Sequence, residues 1–105
     1  MNKQRREAIK EIIEELDEIK QDMSELAERL ESVTEKIEDV RSEEEDAFDS
    51  MPESLQDSDR GERMQSAIDC LDSAASEVDS WKQGLEDYDS TCDEAIAYLG
   101  DAVNA

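Results

Sequence analysis

The chain has 105 residues, of which 36% are apolar, 11 are Lys or Arg, 32 are Asp or Glu and none is His, giving a formal charge of -21. That length supports one domain with a thin core stretched along the chain and no deep enzyme pocket. The negative charge repels nucleic-acid backbones and the anionic membrane surface, which argues against direct binding to DNA, RNA or lipid, and three Gly with one Pro argue against a loop-rich β fold.

The N-terminal run Met1-Asn2-Lys3-Gln4-Arg5-Arg6 is basic but leads into Glu7 and alternating charges. A signal peptide needs an apolar run of about 7–15 residues there, and a bilayer span needs roughly 20. Neither is present, so a soluble cytoplasmic protein is expected. Cys70 and Cys92 on one helix would stand about 33 Å apart at ~1.5 Å per residue, which excludes an intrachain disulfide. Two unbridged thiols fit a reducing compartment, with an interchain cross-link the only disulfide route in vitro.

From Ile9 to Val40 apolar residues alternate at spacings of three and four: Ile9, Ile12, Leu16, Ile19, Met23, Leu26, Leu30, Val33, Ile37 and Val40. This is a heptad seam with Ile9, Leu16, Met23, Leu30 and Ile37 at position a and the others at d. The pattern breaks at Glu44, and Pro52 cannot lie inside a helix. Pro52 suits the start of a short helical turn through Leu55, after which Asp57 or Ser58 can cap a second helix. From Met64 a second seam runs through Ala67, Leu71, Ala74, Val78, Trp81, Leu85, Tyr88, Cys92, Ala95, Leu99 and Ala102. The reading is all-α: one domain over residues 1–105, with helices at about 4–50 and 58–103 and a connector at about 51–57.

So short a connector predicts an antiparallel helical hairpin of roughly 65–70 Å. With facing residue numbers summing to about 111, Ala95 comes opposite Leu16, Ala74 opposite Ile37, Leu85 opposite Leu26 and Trp81 opposite Leu30, so large meets small in several layers. Glu44 then falls near Ala67, with Arg60 and Arg63 as its counter-charge. A further stripe, Ile68, Ala75, Ile96 and Val103, is interrupted by Lys82 and Asp89, and the first helix widens similarly at Ala8 and Ile13. A two-helix hairpin buries one stripe per helix, so these residues are expected to face water until covered by a partner or by a second copy forming a four-helix bundle.

No chemistry emerges. The carboxylates lie on solvated heptad faces, and bundle di-metal sites need Glu-x-x-His while the chain has no His. The run beginning at Asp57 fails as a calcium loop because Ile68 stands where a bidentate Glu is required. Cys92 lacks an activating base and sits in the seam, and no Gly-rich phosphate loop is present. No enzyme activity, cofactor or metal is expected. Phe48, Met51 and Leu55 place apolar bulk in an acidic connector, as a plug for the turn or, less favoured, as a docking knob.

The stretch Glu45-Asp46-Ala47-Phe48-Asp49-Ser50-Met51-Pro52-Glu53-Ser54-Leu55-Gln56, followed by Ser58 and Arg60-Gly61-Glu62, resembles the connector of small acidic helical-hairpin proteins of phages, prophages and Firmicutes-type bacteria. The resemblance spans residues 40–75 and implies a phage or mobile-element origin and a host cytoplasmic partner. It assigns no functional residue.

Two functions follow from these readings. The first is a non-catalytic protein that self-associates or docks on a host protein, through Ile13, Ile68, Ala75, Ile96 and Val103 together with Phe48, Met51 and Leu55. The second is a nucleic-acid mimic that inhibits a nucleic-acid-binding enzyme of the host, with Glu43, Glu45, Asp46, Asp69, Asp72, Asp79, Glu86 and Asp87 as the acidic surface. Spread over ~68 Å, the net charge approaches one per 3 Å, against one per ~1.7 Å in duplex DNA.

Overall fold

The structure, a computed structural model, describes residues 1–105. Three helices make up the chain: α1 (Lys3–Asp49), α2 (Glu53–Gln56) and α3 (Asp59–Asn104), with no strand. α1 contains neither Gly nor Pro and is rich in Glu, Lys, Arg, Ile and Leu, which lose little side-chain freedom in a helix or gain from packing. Its start is capped by Asn2, whose Oδ1 accepts the Arg5 amide at 2.8 Å.

Pro52, with φ -57° and ψ 143°, takes the chain out of helical geometry. The single turn of α2 closes through Leu55 N–H and Gln56 N–H donating to the Pro52 carbonyl. Gln56 reaches back: its Nε2 donates to the carbonyls of Phe48, which also accepts the Met51 amide at 3.1 Å, and of Met51, both at 3.2 Å, tying the connector to the end of α1. Ser58 starts α3, accepting the Gly61 amide at 3.4 Å through its hydroxyl and the Glu62 amide at 2.9 Å through its carbonyl. Asp59 and Glu62 place negative charge in that first turn, where the helix dipole favours it.

Gly61 is buried for a steric reason. A Cβ at that position would overlap the carbonyl oxygen of Gln56 and lie 2.7 Å from that of Leu55, so only Gly lets the connector pass this close to α3.

The contacts divide the chain into two compact units, residues 1–28 with 82–105, and residues 29–81. Each pairs a segment of α1 with a segment of α3. In the first unit the Lys20 ammonium reaches Asp89 at 3.7 Å and Asp93 at 2.7 Å; in the second, the Arg41 guanidinium pairs with Asp72. The paired residue numbers sum to 109 and 113 in the first unit and to 113 in the second, within two of the expected 111.

The rows that face each other differ from the expected seam. On α1 the screened residues are those at a and e: Ile9, Ile13, Leu16, Lys20, Met23, Ala27, Leu30, Thr34, Ile37 and Arg41. On α3 they are Gly61, Met64, Ile68, Leu71, Ala75, Val78, Lys82, Leu85, Asp89, Cys92, Ile96, Leu99 and Val103, again a and e. Only Ala27, Gly61 and Ile68 are buried, and Ile68 is the most enclosed apolar side chain at 4% exposure. The stripe through Ile68, Ala75, Ile96 and Val103, expected to face water, thus lies in the interhelical seam, and Ile13 joins it from α1. Ala8 remains exposed. The d positions, expected to be enclosed, are open instead, except for the half-buried Ala102 near the end of α3.

Charge and size explain the choice. The interruptions Lys82 and Asp89 share the e row with Lys20 and Arg41 on α1, and Lys20 and Arg41 find acids across the seam. Ala27, Gly61 and Ala75 in the same rows keep the approach narrow.

Candidate interaction surface

In two antiparallel helices that meet through a and e, the two d rows fall on the same side of the two-helix layer, because reversing one helix mirrors the order of its positions. Each unit therefore carries one open apolar face. In the first unit it presents Ile12, Ile19 and Leu26 of α1, 44–46% exposed, and Tyr88 of α3 at 62%. Ala95 is exposed beside them, and Tyr98, at the adjoining g position, is 75% exposed. In the second unit it presents Val33 and Val40 of α1, 41% and 52% exposed, with Ala67, Ala74 and Trp81 of α3, the last 62% exposed.

The edge of these faces is formed by the g positions. On α3 they are Arg63, Cys70, Glu77, Gly84, Thr91 and Tyr98, with Arg63 and Glu77 the charged members; on α1 they include Glu15, Asp22, Arg29 and Lys36. The opposite side of each unit is acidic, with Asp17, Glu86 and Asp93 in the first and Glu31, Glu38, Glu45, Asp72 and Asp79 in the second.

Two cations in the seam are held by their surroundings. The hydrogen bond with Asp93 raises the Lys20 ammonium above its ordinary value of 10.5, and the charges of Asp89 and Asp17 add to this against partial desolvation. Desolvation opposes the Arg41 charge, but Asp72 and Glu45 outweigh it and raise that guanidinium as well.

The residues singled out from the sequence are distributed as follows. Ile68 is buried in the seam, and Ile13, Ala75, Ile96 and Val103 are half-buried along it. Phe48 and Met51 are half-buried at the end of α1 with their carbonyls bound by Gln56, whereas Leu55 is 49% exposed. Glu44 is half-buried but forms no ion pair with Arg60 or Arg63. Among the acids, Glu45 and Asp72 are drawn onto Arg41, Glu86 onto Lys82 at 3.4 Å, and Asp69 accepts from Gln65. Glu43, Asp46 and Asp87 are exposed, as is Asp79. Cys70 is an exposed free thiol and Cys92 a half-buried one.

Sequence reasoning placed Ile12, Ile19, Leu26, Val33, Val40, Trp81 and Tyr88 inside the seam and so missed them as surface. The usable signal was electrostatic: Lys20 and Arg41 repeat at e on the first helix, matching acids on the second, and charged residues at such spacing mark the facing rows.

No three His, Cys, Asp or Glu side chains come together in a way that could hold a metal ion. The depression beside Asp59, Glu62, Arg63 and Ser66 lies along successive turns of α3 and is open to solvent. No helix is long and apolar enough to cross a membrane. No protein-family model matches the chain, and neither a curated protein nor a solved structure matches it.

Proposed function

We propose that the protein is a non-catalytic interaction module whose open apolar faces assemble it with a second copy into a four-helix bundle. The observation that carries this reading is the row of exposed d residues on one side of each unit, opposite the acids. Trp81 and Tyr88 alone, at 62% exposure each, leave on the order of 100 Å² of ring surface apiece in water. With the aliphatic row the total approaches roughly 500 Å², comparable to the apolar share of a standard interface of about 800 Å² per partner. In a bundle of two hairpins a and d point to the common centre while the e rows pack within each hairpin, which accounts for every apolar row.

The test is the solution mass of the purified chain by light scattering. Twice the chain mass of 11.9 kDa is expected, with Leu26→Glu plus Trp81→Glu restoring the monomer at unchanged helicity. A wild-type chain that stays monomeric at micromolar concentration overturns the reading.

The acidic side suggests a second reading, a nucleic-acid mimic that inhibits a nucleic-acid-binding enzyme. It stays free in such an assembly, but the ion pairs of Arg41 and Lys82 draw on Glu45, Asp72 and Glu86, which weakens it. Capture of a basic enzyme from bacterial lysate that is released as salt rises would favour it. A phage or mobile-element origin, as the connector suggests, fits either reading.

A further inference from the structure

We infer that the second copy docks in one particular sense, α1 antiparallel to α1 of the other copy, selected by charges at the edge of the open faces; this rests on the self-association proposed above. Helices that pack antiparallel through a and d bring the g positions of one against the g positions of the other. On α1 the g residues of the first unit are Ala8 and the acids Glu15 and Asp22, and those of the second unit are the cations Arg29 and Lys36 followed by Glu43, which the proposed register sets against Ala8. Glu15, Asp22, Arg29 and Lys36 are all exposed, and none takes part in an ion pair within the chain.

Layering Met23 on Leu26 of the second copy, and Leu16 on Val33 of the second copy, sets Asp22 against Arg29 and Glu15 against Lys36 of that copy. Two-fold symmetry makes each pair twice. With the seam register of about 111, α3 then brings Gly84 to Thr91 of the second copy and Glu77 to Tyr98 of the second copy. The first contact needs small residues and has them. In the second, the Tyr98 hydroxyl can donate to the Glu77 carboxylate.

Other arrangements weaken this match. Sliding α1 by one heptad in one direction keeps Asp22 against Lys36 but sets Arg29 against Arg29 and Glu15 against Glu43; sliding it in the other keeps Glu15 against Arg29 but sets Asp22 against Asp22 and Lys36 against Ala8. Placing α1 on α3 of the second copy leaves Lys36 with Glu77 as the one ion pair and turns Glu15, Asp22 and Arg29 toward Tyr98, Thr91 and Gly84. For chains that each carry a formal charge of -21, the sites where opposite charges can meet decide the orientation.

The experiment uses the full chain and the variants Asp22→Arg and Arg29→Asp, alone, mixed, and combined in one chain. Each variant alone places like charges against each other twice and should weaken the dimer by roughly tenfold. Mixed, the two variants restore opposite charges at both pairs, so heterodimers of differently tagged chains should dominate, and the combined variant should regain wild-type affinity. The preference should fade as salt is added. Because all four positions are exposed, circular dichroism should show unchanged helix, and rescue on mixing would exclude misfolding where a single variant loses signal. A dimeric wild type whose variants dimerise equally well, or mix without preference, overturns the antiparallel register and leaves self-association standing. A monomeric wild type overturns both.

Discussion

Lys20, and not its neighbour Ile19, is turned toward α3: its ammonium lies 2.7 Å from Asp93, while Ile19 keeps 44% of its surface exposed. An isolated hairpin gains more by burying Ile than by burying Lys. The proposed assembly would give the Ile rows a second layer to pack on, and so would link the polar content of the seam to the apolar content of the open face.

Substitutions in the two rows should therefore separate folding from assembly. Ile68→Ala removes the most enclosed side chain and should cost about 2–4 kcal/mol of stability, visible as a large fall in melting temperature. Leu26→Glu on the open row should leave the hairpin helical by circular dichroism and shift the mass by light scattering from dimer to monomer. If Ile68→Ala affected mass and not melting, the assignment of the rows would be reversed.

How much of this was legible in the sequence depends on which physical signal is followed. Heptad spacing gave two long helices, Pro52 and Ser58 gave the joint, and the match of large to small residues gave a register of about 111, the value that the Lys20 and Arg41 ion pairs also give. The facing rows were not legible from apolar spacing, because a, d and e on α3 are all largely apolar and a hairpin can bury only part of so wide a stripe. Ile13, Ile68, Ala75, Ile96 and Val103 were read as surface for that reason, and Trp81 and Tyr88 as core. Only the cross-helix charge pattern distinguishes d from e, and it needs the register before it can be read.

The connector makes a test of opposite signs. In the interior of a helix Gly→Ala ordinarily stabilises by up to about 1 kcal/mol. Gly100→Ala, with nothing within 4 Å of the added carbon, should stabilise by a few tenths of that. Gly61→Ala should instead destabilise by about 1–3 kcal/mol, because the Gln56 carbonyl must move to admit it. Chemical denaturation of the two variants reads both signs, and a stabilised Gly61→Ala chain would show that the connector does not sit tightly on α3.

Salt distinguishes self-assembly from charge-driven partner binding. Two chains of -21 repel over distances beyond the few opposite pairs at their edges, and screening removes long-range repulsion before it removes short contacts. The proposed dimer should tighten between about 0.05 and 0.5 M salt, measured by sedimentation at fixed protein concentration. A dimer that falls apart over that range would mean that ion pairs, rather than the apolar rows, hold it.

Alkaline pH should release the Lys20 contact in a defined window. The folded state raises the ammonium above its ordinary 10.5, chiefly through Asp93, so the folded chain binds that proton more tightly than the unfolded chain does. The resulting stabilisation is fully present below pH 10.5 and is lost as pH rises through the still higher folded value. Comparing the wild type with Lys20→Gln cancels the titration of the other groups. The difference in melting temperature between the two should stay constant from pH 7 to about 10 and shrink above it. A difference that does not change through pH 12 would mean that Lys20 stabilises the seam by the packing of its stem and not by its charge.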